Sequence, residues 1–135
     1  MGVDALQPDR VAQAMARWGP VYVGRVCSPA EQAEWGIGTG GVAVCLAVKE
    51  CLIKAVGGRP HPFSWHDLRV GGVACRTAGR LLVDAGRALG AATGVTRFHS
   101  TGCAVRGRAL CGAALWGESE DLIVAVVVLV EEDLC

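Results

Sequence analysis

The stretch GVAVCLAVKECLIKAV, Gly41 to Val56, decides the fold. Its first eight residues are small or apolar on every side, and a helix with no polar stripe has to be largely buried. The segment therefore predicts a central helix with other elements packed around it. Three charged residues then follow within a turn and a half: Lys49, Glu50 and Lys54, the only charged side chains between Trp35 and Gly58. Charge taken out of water costs free energy unless it is paired or ligated. Two readings stand side by side here. Glu50 and Lys54 are four residues apart on one face, which suits an ordinary helix ion pair at a wet edge. The same three groups also suit a site that handles phosphate and a metal ion.

Upstream, Met1 to Leu6 alternates weakly and predicts a short strand whose polar member is Asp4. Asp4 read alone is a turn or cap residue. Read with Glu50 it supplies a second carboxylate, and Mg²⁺ prefers one or two carboxylates together with waters and substrate phosphate oxygens. A lysine beside that pair would stabilise charge on a diphosphate leaving group. From Pro8, whose fixed φ suits a first helical turn, a helix is expected to run to Trp18 and stop at Gly19-Pro20. Val11, Met15 and Trp18 would form its apolar face; Arg10, Gln13, Ala14 and Arg17 form another, so two arginines point the same way. Ser28-Pro29-Ala30-Glu31 reads as a capping box opening a short helix to about Trp35.

Gly36, Gly38 and Gly41 formally match a dinucleotide fingerprint. Such a fingerprint should follow a strand and precede an acid about 20 residues on, and neither holds, so the segment reads as a connection. Phe63 to Val70 is expected to form a strand, Gly71-Gly72 a turn, and Val73 to Arg76 its partner. A second amphipathic helix spans about Thr77 to Thr93, with Leu81, Leu82, Ala85, Ala88 and Leu89 inward and Gly94 at its end. Thr96 to Arg106 reads as loop. Arg108 to Trp116 and Leu122 to Glu131 predict a hairpin joined by residues 117–121, and the almost unbroken apolar strand 122–130 needs both faces covered.

The whole chain of 135 residues is 52% hydrophobic and 19% charged, which excludes a disordered or nucleic-acid-tail protein. One domain, 1–135, is expected. Net charge is zero, yet residues 1–117 hold all 13 basic residues against seven acids, leaving six acids at 118–133. Among the basic residues 11 are Arg and the only two lysines are Lys49 and Lys54. The longest apolar run has nine residues where a membrane helix needs about 20. Seven cysteines without a C-x-x-C pair, and no signal peptide, read as the scattered thiols of a reduced cytoplasmic protein. His61, His66 and His99 lack zinc spacing with one another or with the cysteines.

Gly2-Val3-Asp4, then Asp9-Arg10-Val11, Arg25-Val26-Cys27-Ser28-Pro29-Ala30-Glu31, Leu46 to Gly57 and Phe63 to Val70 occur in an order that resembles holo-acyl-carrier-protein synthase, the small group of 4′-phosphopantetheinyl transferases. The K-E-x-x-x-K helix combined with an upstream G-x-D is what makes the likeness specific. The resemblance implies an α+β fold, an antiparallel sheet packed with helices, in chains that form homotrimers with active sites between protomers. It implies transfer of phosphopantetheine from coenzyme A to a serine of an acyl carrier protein in fatty-acid or polyketide biosynthesis, with Mg²⁺, releasing 3′,5′-ADP. Carried over by position, Asp4 and Glu50 would ligate the metal, and Glu50 would also help take the serine proton. Lys54 would contact the phosphates, Lys49 and Arg59 would bind the coenzyme, and Arg10 and Arg17 would meet the acidic helix of the carrier.

Three departures accompany the likeness. Cys45 stands where the family commonly has an arginine. Gly117-Glu118 replaces a Ser-His motif that would touch the nucleotide, and Val95 to Gly112 looks like extra length. Arg59, Arg97, Arg106 and Arg108 are candidates to restore the missing charge. The alternative reading is a catalytically degenerate relative that binds carrier protein or coenzyme A as a structural partner.

Overall fold

The computed structural model describes residues 1–59 and 61–135. Five strands form one antiparallel sheet in the order β1-β5-β4-β3-β2: β1 is Gly2–Leu6, β2 Leu68–Val70, β3 His99–Val105, β4 Leu110–Ser119 and β5 Leu122–Glu131. Five helices accompany it: α1 Pro8–Trp18, α2 Pro20–Val26, α3 Pro29–Trp35, α4 Thr39–Ala55 and α5 Arg76–Thr93. No helix among the described residues is long and apolar enough to cross a membrane.

The central helix is α4. Val42 through Lys49 are all buried, and the helix packs on β1 and β5, with α1, α2 and α3 around it. Full burial of a side chain such as Val42, Val48 or Leu52 stabilises by about 1.5–3 kcal/mol relative to leaving it exposed. On β5 the residues alternate between two cores. Ile123, Ala125 and Val127 meet the α4 layer, whereas Val126 and Val128 meet Ala78 and Leu82 of α5. Both faces of β5 are thus covered within one chain, so its apolar character does not require a second copy.

Several expectations need correcting. Residues 20–26 form α2, which β-branched Val21 and Val23 disguise; Pro20 at the first helical position starts it and Val23 and Val26 bury it. Of the strand expected at 63–70 only Leu68–Val70 joins the sheet, because Trp65–Asp67 make a 3-10 turn capped by Ser64. Its partner is β3 rather than 73–76, and the loop expected at 96–106 contains that strand. Gly102 is what the site requires: a Cβ there would press on the carbonyls of Gly71 and Val73. Trp18, 57% exposed, and Leu81, 58% exposed, face outward, as does Ala88. Finally, Cys111 and Cys135 are joined as a disulfide, so the thiols are not simply scattered.

Candidate functional site

Asp4 reaches α4 because of Gly2. A Cβ at Gly2 would overlap the Cys51 carbonyl oxygen, so glycine lets β1 lie directly on the helix. Two residues on, the Asp4 carboxylate oxygen Oδ1 accepts a hydrogen bond from Lys54 Nζ at 2.8 Å, and the same ammonium donates to the Val3 carbonyl at 3.0 Å. The bond to Asp4 is the main reason the Lys54 ammonium is held above the ordinary lysine range, and the charge of Glu50 adds to it. The i, i+4 pairing of Glu50 with Lys54 is therefore superseded: the lysine pairs with the strand. Asp4, 17% exposed, and Lys54, 54% exposed, both remain within reach of solvent.

Lys49 has the opposite fate. It is fully buried, and its three ammonium protons go to three acceptors: the Val26 carbonyl at 2.6 Å, Glu31 Oε1 at 2.7 Å and the Trp65 carbonyl at 3.0 Å. Glu31 is satisfied in turn. Its Oε1 also accepts the Ser28 N–H at 2.8 Å and its Oε2 the Val70 N–H at 2.8 Å, while Ser28 Oγ caps α3. Lys49 has no donor left for a coenzyme, which corrects its assignment as a coenzyme contact: it fastens α2, α3, α4 and the turn before β2 to one another. Cys45 likewise lies in the core, fully buried beside Cys27; hydrogen bonding to Cys27 and burial push its thiol up, so it stays neutral.

Glu50, half-buried on the next position of α4, opens onto a cavity of about 630 Å³. Arg10 of α1, Arg25 of α2 and Arg59 supply positive charge to its walls, and Tyr22, Trp18 and Trp65 supply aromatic surface. The Arg59 guanidinium lies 5.1 Å from the centre of the Phe63 ring and 5.4 Å from that of Trp65, so an aromatic shelf holds it. Burial raises the Tyr22 phenol above its ordinary range, with Arg10 opposing and Glu50 adding to the rise, so at neutral pH it is a hydrogen-bond donor.

The expected residues thus fall into three groups. Asp4 and Lys54 are joined; Glu50, Arg10 and Arg59 line one cavity; Lys49 is withdrawn into the core. Arg17 is not among the cavity's walls and lies over the Trp18 ring at 5.1 Å. Arg97, Arg106 and Arg108 are likewise not among them. Arg25 and Tyr22 were not expected; recognising α2 from Pro20 would have placed both on the helix that faces Glu50. Gly117-Glu118 lies within β4, opposite Val124 and Ile123.

As to a cation, Asp4 and Glu50 are hard oxygen donors of the kind Mg²⁺ takes, and two carboxylates with the rest of the shell from water and phosphate is a normal complement for it. Lys54 occupies one oxygen of Asp4 and leaves Oδ2 and the Glu50 carboxylate as donors. In donor chemistry, though not by a measured approach of one carboxylate to the other, the two residues suit the ion.

No family model matches the chain. Among curated proteins, it is 37% identical over 99 residues to the holo-[acyl-carrier-protein] synthase of Clavibacter sepedonicus, covering 73% of this chain and 79% of that one. To the protein of the same name from Koribacter versatilis it is 35% identical over 74 residues, 52% of this chain and 59% of that one, so that match spans less than two thirds of the relative. Among solved structures, it superposes on the Helicobacter pylori holo-[acyl-carrier-protein] synthase in complex with coenzyme A with a TM-score of 0.59, at 17% identity over 96% of this chain and 98% of that one. That structure shares the mixed fold of helices on an antiparallel sheet. By the extent and identity of the Clavibacter match, the chain belongs to the holo-[acyl-carrier-protein] synthase family, which are phosphopantetheinyl transferases.

Proposed function

We propose that residues 1–135, as one unit, move the 4′-phosphopantetheine of coenzyme A onto a serine of an apo acyl carrier protein, using Glu50, Asp4 and Lys54. The observation that carries this assignment of roles is the Asp4–Lys54 pair at 2.8 Å on the helix whose Glu50 opens into an arginine-lined cavity. In the reaction the serine Oγ bonds to the phosphorus of the pantetheine phosphate. The bond from that phosphorus to the bridging oxygen breaks, and 3′,5′-ADP leaves. Glu50 takes the serine proton, directly or through a water, and Lys54 neutralises charge on the departing phosphate. Mg²⁺ held by Asp4 and Glu50 would supply further neutralisation of the diphosphate. Little else is needed, because phosphoryl transfer of this kind is mainly positioning and charge neutralisation.

Arg59 and Arg25 are placed to take the cation role that Cys45 lacks, and Arg10 with Arg17 offers positive charge to an acidic carrier helix. Trimer formation, with the site completed by a neighbour, belongs to the same proposal. It is supported by a cavity whose outer walls are the exposed Arg10, Trp18, Val21, Arg25 and Arg59, a set that one chain leaves open. The test is mass spectrometry of apo carrier proteins from fatty-acid and polyketide systems after incubation with coenzyme A and Mg²⁺. A phosphopantetheine mass gain that Glu50→Gln abolishes is the expected result. No gain on any carrier would move the chain to the degenerate, binding-only reading.

A further inference from the structure

Three cysteines far apart in sequence meet on the side of the sheet away from the Asp4–Lys54 pair. Cys75 is the residue before α5, and its N–H bonds to the Gly112 carbonyl at 3.2 Å, which seats it beside Cys111 of β4. Cys135 is brought to the same place by the turn at Glu132–Leu134. There the Glu132 N–H bonds to the Ala109 carbonyl at 2.8 Å and Thr77 Oγ1 donates to the Leu134 carbonyl at 2.6 Å. The three sulfurs all lie within 4.8 Å of one another, and among the described residues no other three potential ligand side chains do so. They share the wall of a cavity of about 470 Å³ with Glu132, and none of its lining residues belongs to the cavity at Glu50.

Such a triangle supports two states. In one, Cys111 and Cys135 are bonded and Cys75 is a spectator. In the other, all three are thiolates around one soft cation. Two features favour a cation. The Cα atoms of Cys111 and Cys135 stand 7.2 Å apart, beyond the roughly 4.4–6.8 Å that disulfides usually span. Tetrahedral zinc, with Zn–S near 2.3 Å, sets sulfurs about 3.8 Å apart, which asks less of the backbone and gives Cys75 a role. We propose that the reduced chain binds one Zn²⁺ through Cys75, Cys111 and Cys135, with the fourth position taken by an oxygen from the cavity, a water or the Glu132 carboxylate. Reaching that state takes two electrons from a reductant and two protons: a thiol supplies both and is itself oxidised to a disulfide, whereas a phosphine supplies the electrons, takes oxygen from water to become its oxide, and leaves that water's protons on the two thiols. Zinc then displaces the thiol protons, so uptake strengthens as pH rises. The bound ion would tie the chain's last turn to β4 and to the start of α5.

The test uses the whole chain kept in a phosphine reductant and titrated first with Co²⁺, whose thiolate complexes absorb by charge transfer, and then with Zn²⁺. One Co²⁺ per chain with thiolate charge-transfer bands, displaced by one Zn²⁺, is expected; Cys75→Ser should weaken binding at least tenfold, and oxidised chain should show none. Alkylation mapped by mass spectrometry gives a measurement on the unmutated protein. Zinc should protect Cys75, Cys111 and Cys135 together. A reduced, folded chain without cobalt charge-transfer bands would overturn the proposal. So would a Cys75→Ser protein with unchanged affinity, or equal alkylation with and without zinc.

Discussion

Lys49 and Lys54 are the chain's only lysines, sit little more than a turn apart on one helix, and do opposite work. Lys49 has no exposure and spends all three protons on internal acceptors; Lys54 is more than half exposed, leans on Asp4 and keeps its ammonium at the surface. The difference comes from what surrounds each position. At 49 the helix is wrapped by α2, α3 and the turn at Trp65, so a cation must be matched group for group. At 54 the helix emerges over an edge strand, where water makes a charge affordable and leaves it free for a ligand.

The largest expected effect breaks the buried half of that comparison. Lys49→Met leaves the Glu31 carboxyl buried without its cation, and removing one partner of such a pair typically costs about 3–5 kcal/mol. Urea unfolding should show a loss of that size, and adding Glu31→Leu should recover part of it. A loss under about 1 kcal/mol would mean that Lys49 is not a structural pin. Lys54→Met is the counterpart: the turnover rate should fall about 10²–10³-fold, as when one charge-stabilising donor is removed, while the melting temperature stays nearly unchanged. If both substitutions acted chiefly on stability, the two lysines would not differ in kind.

Next in size is Gly2→Ala. The added methyl has no room against the Cys51 carbonyl, and overpacking of this sort costs about 1–3 kcal/mol. Because β1 carries Asp4, turnover should drop as well, although no charged group has changed. Full activity in this variant would show that β1 shifts without disturbing the pair.

Much of this was legible in the sequence, and the parts that were not have physical causes. α1, α5 and the capping box could be read because apolar periodicity and terminal residues are local signals, and α4 because an apolar stretch with no polar stripe is a local signal of burial. Asp4, Glu50 and Lys54 stood out because charge is scarce around them. β3 was hidden because Ser100 and Gly102 are poor strand formers on either side of Thr101 and their place is decided by neighbours, with Gly102 fitted under the 71–73 turn. The destination of Lys49 was invisible for a different reason: two of its three acceptors are backbone carbonyls of Val26 and Trp65, which any sequence would offer. Glu31 showed only its capping role, since the bonds of its side chain to Lys49 and Val70 are long-range. The meeting of Cys75, Cys111 and Cys135 likewise depends on which strands pair.

The smallest effect tests whether the exposed pair persists in solution. Asp4 holds the Lys54 ammonium above its ordinary pKa of 10.5. A raised folded value means the pair's contribution is fully present below the unfolded pKa and disappears as pH climbs through the folded one. The stability difference between the wild-type chain and Asp4→Asn should therefore be constant from neutral pH to about 10 and close above 10.5. Its size should stay within the roughly 0.2–1 kcal/mol of exposed pairs, because water screens a lysine this accessible. Paired urea titrations at pH 8 and pH 11 measure it, and other titrating groups cancel in the difference. A gap that is the same at both values would mean that Asp4 and Lys54 are not bonded in the free protein. Lys54 would then be drawn to Asp4 only in the crowded charge of a bound diphosphate. Its contrast with Lys49 would lie in the complex rather than in the fold.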